Sequence, residues 1–376
     1  MRDRCRLYAS LLILWIAASS RARALLTFND GTDQVFVNST YTFGYDTNVF
    51  TQGVARGSST QNWSFGANYT RKAGVIGVNA GVGWNFGDFG SYTSQDFVDP
   101  SYSLSFTKGT GRTTGSLSFS AQKTAQPDPD ANNRAVAWNY DIGLNLRYPV
   151  NDRYFFTNGT TYSNILYTNH ALFADLGSIS DGIAINYIFD PKLDFNGGYT
   201  FAFSQTDNTT NYDQSYTVGA SGSLLPKLTG SLDVGVDDRH SDYAGTSENY
   251  GSFTGDAALA WRFSHLLSFA GSVNRAFSTS STDVSLDTSS VSLNTDINAI
   301  RRLRTSVVTS YTETQFLGTL GDGRRDTLWQ LVGNLGTAIT THVRANISYA
   351  YEVNYSNLGG ASFTRETLSL TLSADY

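Results

Sequence analysis

Between Val343 and Tyr355 the chain alternates without a break. Val343, Ala345, Ile347, Tyr349, Tyr351, Val353 and Tyr355 share one face of an extended strand, and Arg344, Asn346, Ser348, Ala350, Glu352 and Asn354 share the other. Val136 to Tyr148 repeats the pattern, with Trp138, Tyr140, Ile142, Leu144 and Leu146 opposite Asn139, Asp141, Gly143, Asn145 and Arg147. A period of two held over 13 residues excludes a helix, whose faces recur every 3.6 residues. Such strands exceed the usual globular length of about 5–6 residues and suit the roughly 9–11 residues that a tilted strand needs to cross hydrocarbon. In a soluble sandwich the apolar face would turn inward. Here the other face is small and polar, which suits a wet lumen and leaves the apolar face to lipid.

The alternation recurs along the whole chain and predicts about 18 strands (16–18) in nine hairpins, from near 34–45 to near 362–376. The expected fold is all-β: one transmembrane, antiparallel, up-and-down β-barrel over residues 25–376, with no plug domain. Short turns such as Pro149-Val150-Asn151-Asp152, Asp190-Pro191-Lys192 and Leu225-Pro226-Lys227 alternate with longer polar links at 46–60, 123–133, 164–180 and 239–249. Bacterial barrels keep short turns on the periplasmic side and longer loops outside, so the alternation orients the chain. None of the links looks long enough to fold inward and narrow the lumen. Of the 21 Lys and Arg after residue 24, 13 lie in or beside the short turns, Arg71, Lys72, Arg301 and Arg302 among them. The outer links are richer in acid, as at Asp128, Asp130, Asp237, Asp238, Asp242 and Glu248. This is either ordinary solvation of strand ends or a field that favours cations at the outer mouth.

Residues 1–24 read as a secretory signal peptide. Arg2, Arg4 and Arg6 precede a short apolar core, Leu11 to Ala18, and Ala22-Arg23-Ala24 offers a small-x-small cleavage site. No segment has 18 consecutive apolar residues, so no helix is expected to span a bilayer. Cleavage after Ala24 removes the sole cysteine, Cys5, and with it disulfides and cysteine metal sites. It also takes the net charge from −6 to −10, which argues against nucleic-acid binding.

At the C-terminus Leu368, Leu370, Leu372 and Tyr376 share a face, and the last residue is aromatic. This resembles the signal that the outer-membrane barrel-assembly machinery reads on its substrates. At the end of the first long strand stands Tyr45-Asp46-Thr47-Asn48-Val49-Phe50. It resembles the opening of the family called Putative beta-barrel porin 2. The resemblance implies an unplugged pore, with some members linked to exopolysaccharide export, and it carries no catalytic residues. The residues also allow a plainer reading, because Asp and Asn are good turn formers at a strand exit.

No enzymatic constellation appears. His170, His240, His265 and His342 divide between opposite ends of the expected barrel, and neither H-x-x-x-H nor G-x-S-x-G occurs. Asp128-Pro129-Asp130 lacks the glycine and glutamate of a calcium loop. The expectation is therefore no enzyme, no cofactor and no metal, with function residing in the lumen. Asp141, Asp194, Asp233, Asp256 and Glu352, with Arg147, Arg262 and Arg344, fall on the polar faces and are expected to line the pore and set ion preference. The lumen is also the default home of any charge in such a barrel, because charges avoid lipid. Arg275 and Glu313 fall in phase with the lipid face, either at the headgroup rim or beside a bulge.

The expected function is passive diffusion of small hydrophilic solutes or ions across a Gram-negative outer membrane, among its lipid and lipopolysaccharide. The alternative is a non-enzymatic barrel component of exopolysaccharide export, passing polysaccharide with periplasmic partners. That reading would be favoured by aromatic stripes in the lumen, but only scattered rings such as Phe36 and Phe155 fall there. A homo-oligomer stays open, since porins often trimerise, though nothing in the sequence marks a subunit interface.

Overall fold

Hydrocarbon offers no hydrogen-bond partner, so every backbone N–H and C=O of a spanning strand must be paired within the protein. A sheet meets that demand only by closing on itself. In a computed structural model the protein does so. The structure describes residues 25–376 apart from 73, 130, 132, 244, 301 and 322. The expected signal peptide, Cys5, Asp130 and Arg301 lie outside the described residues.

A short β1 (Leu26–Phe28) precedes β2 (Asp33–Asp46), β3 (Ser58–Arg71), β4 (Gly77–Phe89), β5 (Phe97–Lys108) and β6 (Thr114–Asp128). Then come β7 (Asn133–Pro149), β8 (Tyr154–Tyr167), β9 (Leu176–Asp190), β10 (Leu193–Gln205), β11 (Thr209–Leu225) and β12 (Leu228–Tyr243). The chain continues through β13 (Thr246–Trp261), β14 (Leu267–Thr279), β15 (Ser285–Ile300), β16 (Leu303–Phe316), β17 (Arg325–Ala338), β18 (Val343–Ser356) and β19 (Phe363–Asp375). The described helices are one 3-10 turn, Thr93–Gln95, and one short α1, Gly318–Gly321. Each strand from β2 to β19 pairs antiparallel with its sequence neighbours, and β19 pairs with β2, so 18 strands form a closed ring. All eighteen expected strands are present. β1, which pairs with the start of β2, is too short to show a period in sequence.

The alternation places Trp84, Ile142, Leu331, Ile347 and Leu370 outward and exposed. Burial is inverted relative to a soluble protein, and the most enclosed side chains include Asp46, Asn48, Asn211 and Arg239. Ile188 to Leu193 carries a register shift between β9 and β10, but the faces hold on either side of it.

Two expected outer links are strand instead. Residues 123–128 and 133 belong to β6 and β7, and residues 239–243 and 246–249 to β12 and β13, so Asp237, Asp238, Asp242 and Glu248 belong to strands. The outer connections β10–β11 and β12–β13 are as short as the periplasmic turns, so long and short connections do not strictly alternate. The physical reason is that both faces of a strand are wet above the membrane. The contrast of apolar and polar residues that marks a strand then disappears.

The ring closes at the motif Tyr45–Phe50. Tyr45 points outward, while Asp46, Asn48 and Val49 are buried in the mouth. Arg365 of β19 grips the Asp46 carboxylate with two nitrogens, Nη2 at 2.7 Å and Nε at 3.1 Å from Oδ2, and lies 3.5 Å from Glu352 of β18. Thr47 N–H donates to Glu366 O at 2.9 Å, and Asn48 Nδ2 donates to Thr364 O at 3.2 Å. Lower down, Val37 and Tyr376 exchange backbone hydrogen bonds, and His342 stacks on the Tyr376 ring at 4.4 Å. Removing the arginine would leave two enclosed carboxylates unpaired, which costs about 3–5 kcal/mol in comparable cases. Arg365→Met is therefore expected to lower the urea midpoint of the folded barrel clearly, with Asp46→Asn milder; an unchanged midpoint for Arg365→Met would show that the seam does not depend on this pair.

Candidate functional site

The eight charged residues expected at the pore stand at different heights and around different parts of the wall. Asp141 sits midway along β7 on the inner face and accepts a hydrogen bond from Ser120 Oγ at 3.2 Å. Asp233 of β12 and Asp256 of β13 are direct cross-strand partners on the inner face, and Asn274 Nδ2 approaches Asp256 at 3.5 Å. Asp194 lies at the periplasmic end of β10. Arg147 covers the inward ring of Phe155 at 4.0 Å. Arg262 is exposed, one residue beyond β13, and Arg344 is exposed with Asp375 at 3.8 Å. Glu352 is held in the closing seam by Arg365. Only Asp233 with Asp256, and Glu352 with Asp46 through Arg365, are brought together.

Arg275 and Glu313 keep their outward phase in unbroken ladders near the outer ends of β14 and β16. Arg275 pairs with Asp287 at 2.7 Å, and Glu313 with Arg325 at 3.4 Å.

The outer half of the lumen is narrowed by the chain itself, contrary to the expectation that no link could do so. β5 and β6 pair only as far as Ser101 and Gln122, and β7 meets β8 only from Ala137. Between these points β6 and β7 pair with each other alone, as far as Asp128 and Asn133. Freed from both neighbours, this hairpin turns into the mouth. Ala125 N–H donates to Asp99 Oδ2 at 3.0 Å, and the Arg134 guanidinium lies over the inward rings of Phe89 and Phe97 at 4.8 and 5.8 Å. At the tip, Pro129 O accepts a hydrogen bond from Arg324 Nη2 at 3.1 Å. Arg324 precedes β17, which is separated from β7 by nine strands one way round the ring and seven the other, so the contact spans the lumen. Burial in this mouth pulls the Arg134 guanidinium down to about 10, and the like charge of Arg365 acts the same way.

A second hairpin is freed on one side only, since β15 stays paired with β16 as far as Leu286 and Phe316. β13 and β14 pair only as far as Gly255 and Arg275, whereas β14 and β15 pair to Thr279 and Ser285. The free end packs on the inner face of β11 and β12. Arg239, 2% exposed, forms a bidentate pair with Asp213 at 2.6 and 2.7 Å and donates to Ser278 O. Asn211 bonds Thr279 and Ser285, both at 3.0 Å. Below these hairpins the lumen stays open, with a cavity of about 630 Å3 against β3–β6 and one of about 1190 Å3 at the periplasmic end beside Arg302, Arg304 and Arg344.

The family's sequence profile, Putative beta-barrel porin 2, matches residues 184–376. The chain belongs to this family. It is a porin-like outer-membrane barrel. Among solved structures, Pseudomonas aeruginosa OccK1 (OpdK) is similar at 11% identity, covering 91% of this chain and 99% of its own, with a TM-score of 0.52. Pseudomonas aeruginosa OccK2 (OpdF) in complex with glucuronate is similar at 12% identity over 93% and 99%, with a TM-score of 0.53. Pseudomonas aeruginosa OpdK with vanillate is similar at 12% over 91% and 99%, with a TM-score of 0.51. At these identities the likeness is one of fold. No curated protein matches.

Sequence reasoning missed Arg134, Arg239, Arg324 and the inward hairpins. One signal was available: Phe89 and Phe97 carry large rings on the inward phase, which a wet lumen alone does not call for. Cutting the first hairpin back to a tight turn between Lys123 and Val136 is expected to raise single-channel conductance roughly twofold, since the narrowest segment dominates resistance to ion flow. An unchanged step size in planar bilayers would place the constriction elsewhere.

Proposed function

We propose that this porin family member is a passive, non-enzymatic channel that admits small hydrophilic solutes and prefers cations to anions. One observation carries the preference. Asp141, Asp233 and Asp256 have no Lys or Arg within salt-bridge distance among the described residues, while of the mouth arginines Arg239, Arg324 and Arg365 are each clamped by a carboxylate and Arg134 lies on two rings. Unpaired carboxylates facing each other across a strand pair repel, and a cation passing between them relieves the repulsion. The barrels solved with glucuronate and vanillate hold anionic solutes; the middle of this lumen has the opposite bias. Residues 1–24 would direct export, and Leu368, Leu370, Leu372 and Tyr376 would be read by the barrel-assembly machinery.

A second reading, passage of polysaccharide, is supported by the chamber against β3–β6. Asn38, Asn68, Asn85, Ser101 and Gln122 line it with neutral donors and acceptors suited to sugar hydroxyls, beside Asp99 and Lys123. The wild-type channel in a planar bilayer under a salt gradient is expected to show a cation-selective reversal potential. Asp141→Asn, Asp233→Asn and Asp256→Asn together should move it most of the way to zero, and less so at high salt, where the Debye length falls to about 3 Å at 1 M. A folded barrel without conductance would sink the simple channel and favour the export reading.

A further inference from the structure

The lumen changes sign along its length. Asp233 and Asp256 stand well in from the periplasmic ends of β12 and β13, at Leu228 and Trp261. Arg304 of β16 and Arg344 of β18 each stand next to the periplasmic end of their strand, at Leu303 and Val343. Both arginines face inward. Leu335 and Ile347 are exposed to lipid, so their chain neighbours Gly336 and Asn346 face the lumen. Arg304 is the cross-strand partner of Gly336, and Arg344 lies on the same face of β18 as Asn346. Both line the periplasmic cavity of about 1190 Å3, together with Arg302 of the β15–β16 turn.

The strand between the two arginines leaves room for a guest. Its inward residues here are small: Gly336 lies between Arg304 and Asn346, and Ala338 lies opposite Arg344. Two strand spacings of ~4.8 Å set the arginine backbones about 10 Å apart across this low floor. Long side chains from either side can close over it on one small ion.

The donors of this corner are unspent. Arg302 and Arg304 have no carboxylate within salt-bridge distance among the described residues, and Arg344 has only Asp375, at 3.8 Å. The arginines of the outer mouth differ, since Arg239, Arg324 and Arg365 hold carboxylates at 2.6, 2.5 and 2.7 Å. The side-chain amides of Asn298 and Asn346, on the same cavity, make no hydrogen bond among the described residues. One carboxylate, Asp296, lines the cavity with them. Three guanidinium groups and two amides therefore carry more N–H donors than this wall uses.

We infer that this corner of the lumen is a binding site for a small soluble oxyanion, a solute carrying carboxylate or phosphate groups. A guanidinium presents two parallel N–H groups that match two oxygens of either group. The barrel wall separates the site from lipid headgroups, so the occupant comes from solution. Asp141, Asp233 and Asp256 repel an anion entering from outside, and the site fills from the periplasm.

The test is isothermal titration of the folded barrel in non-ionic detergent at low salt, with citrate as the probe and glycerol as the neutral control. Saturable citrate binding is expected for the wild type. Arg304→Gln combined with Arg344→Gln should weaken it roughly tenfold or more, because each charge-assisted hydrogen bond is worth about 1.5–3 kcal/mol. Asp141→Asn should leave it unchanged, and all variants should keep the heat-modifiable gel migration of a folded barrel. Three results would overturn the inference: no citrate binding by the wild type, glycerol bound as well as citrate, or equal citrate affinity in the double variant, which would place the anion on the basic turns outside the lumen. The titration needs no ion flow, so it separates this site from the question of whether the barrel conducts.

Discussion

The structure depends on the demand that hydrocarbon makes on the backbone. An unpaired peptide group in lipid costs several kcal/mol, so the first and last spanning strands cannot end as edges. Closure joins segments some 320 residues apart, and no turn holds them together. The seam therefore carries more than backbone bonds. Arg365 reaches Asp46 across it and Glu352 beside it, and Asn48 ties the first outer loop to β19. The family motif reads most directly as this fastening: Tyr45 faces lipid, Asp46 faces the arginine and Asn48 organises the loop.

Closure also explains why the hairpins can turn inward. Within the membrane each strand must keep both neighbours, so the wall cannot deform. Above the membrane water can satisfy a free edge, and the obligation lapses. β6 leaves β5 at Gln122 and β14 leaves β13 at Arg275; the first hairpin then keeps only its internal ladder, while the second stays paired with β16 through β15. Their inner surfaces are polar, so they are fixed by directional bonds: Arg239 to Asp213, Arg134 over two rings, Arg324 to Pro129. Arginine suits these positions because its planar fork takes a carboxylate with two hydrogen bonds while its flat face lies on a ring.

The wall was largely legible in sequence. The period-two pattern located all eighteen strands because one face of each had to meet lipid and the other water. The mouth was not legible, for the same reason. Residues 123–128, 239–243 and 246–249 carry polar side chains on both faces and read as loop, although they are strand. Pairings such as Asp46 with Arg365, or Pro129 with Arg324, depend on ring closure and on opposite sides of a ring, which no local spacing records. Asp181 was visible in principle. It breaks the run Ile179, Ile183, Ile185 by its phase alone, as Arg275 and Glu313 do on their strands.

The same side chain has three fates in this wall, and position decides among them. Asp46 is enclosed and gripped by an arginine, so its charge is spent on holding two strands. Asp233 faces the lumen opposite another carboxylate, with no Lys or Arg within salt-bridge distance among the described residues. Asp181 faces neither water nor an arginine, and two β8 donors satisfy only one of its oxygens. A carboxylate is expensive in lipid unless something covers it. The first arrangement fastens the barrel, the second is the one proposed to bias it among solutes, and the third is held by two hydrogen bonds from the neighbouring strand.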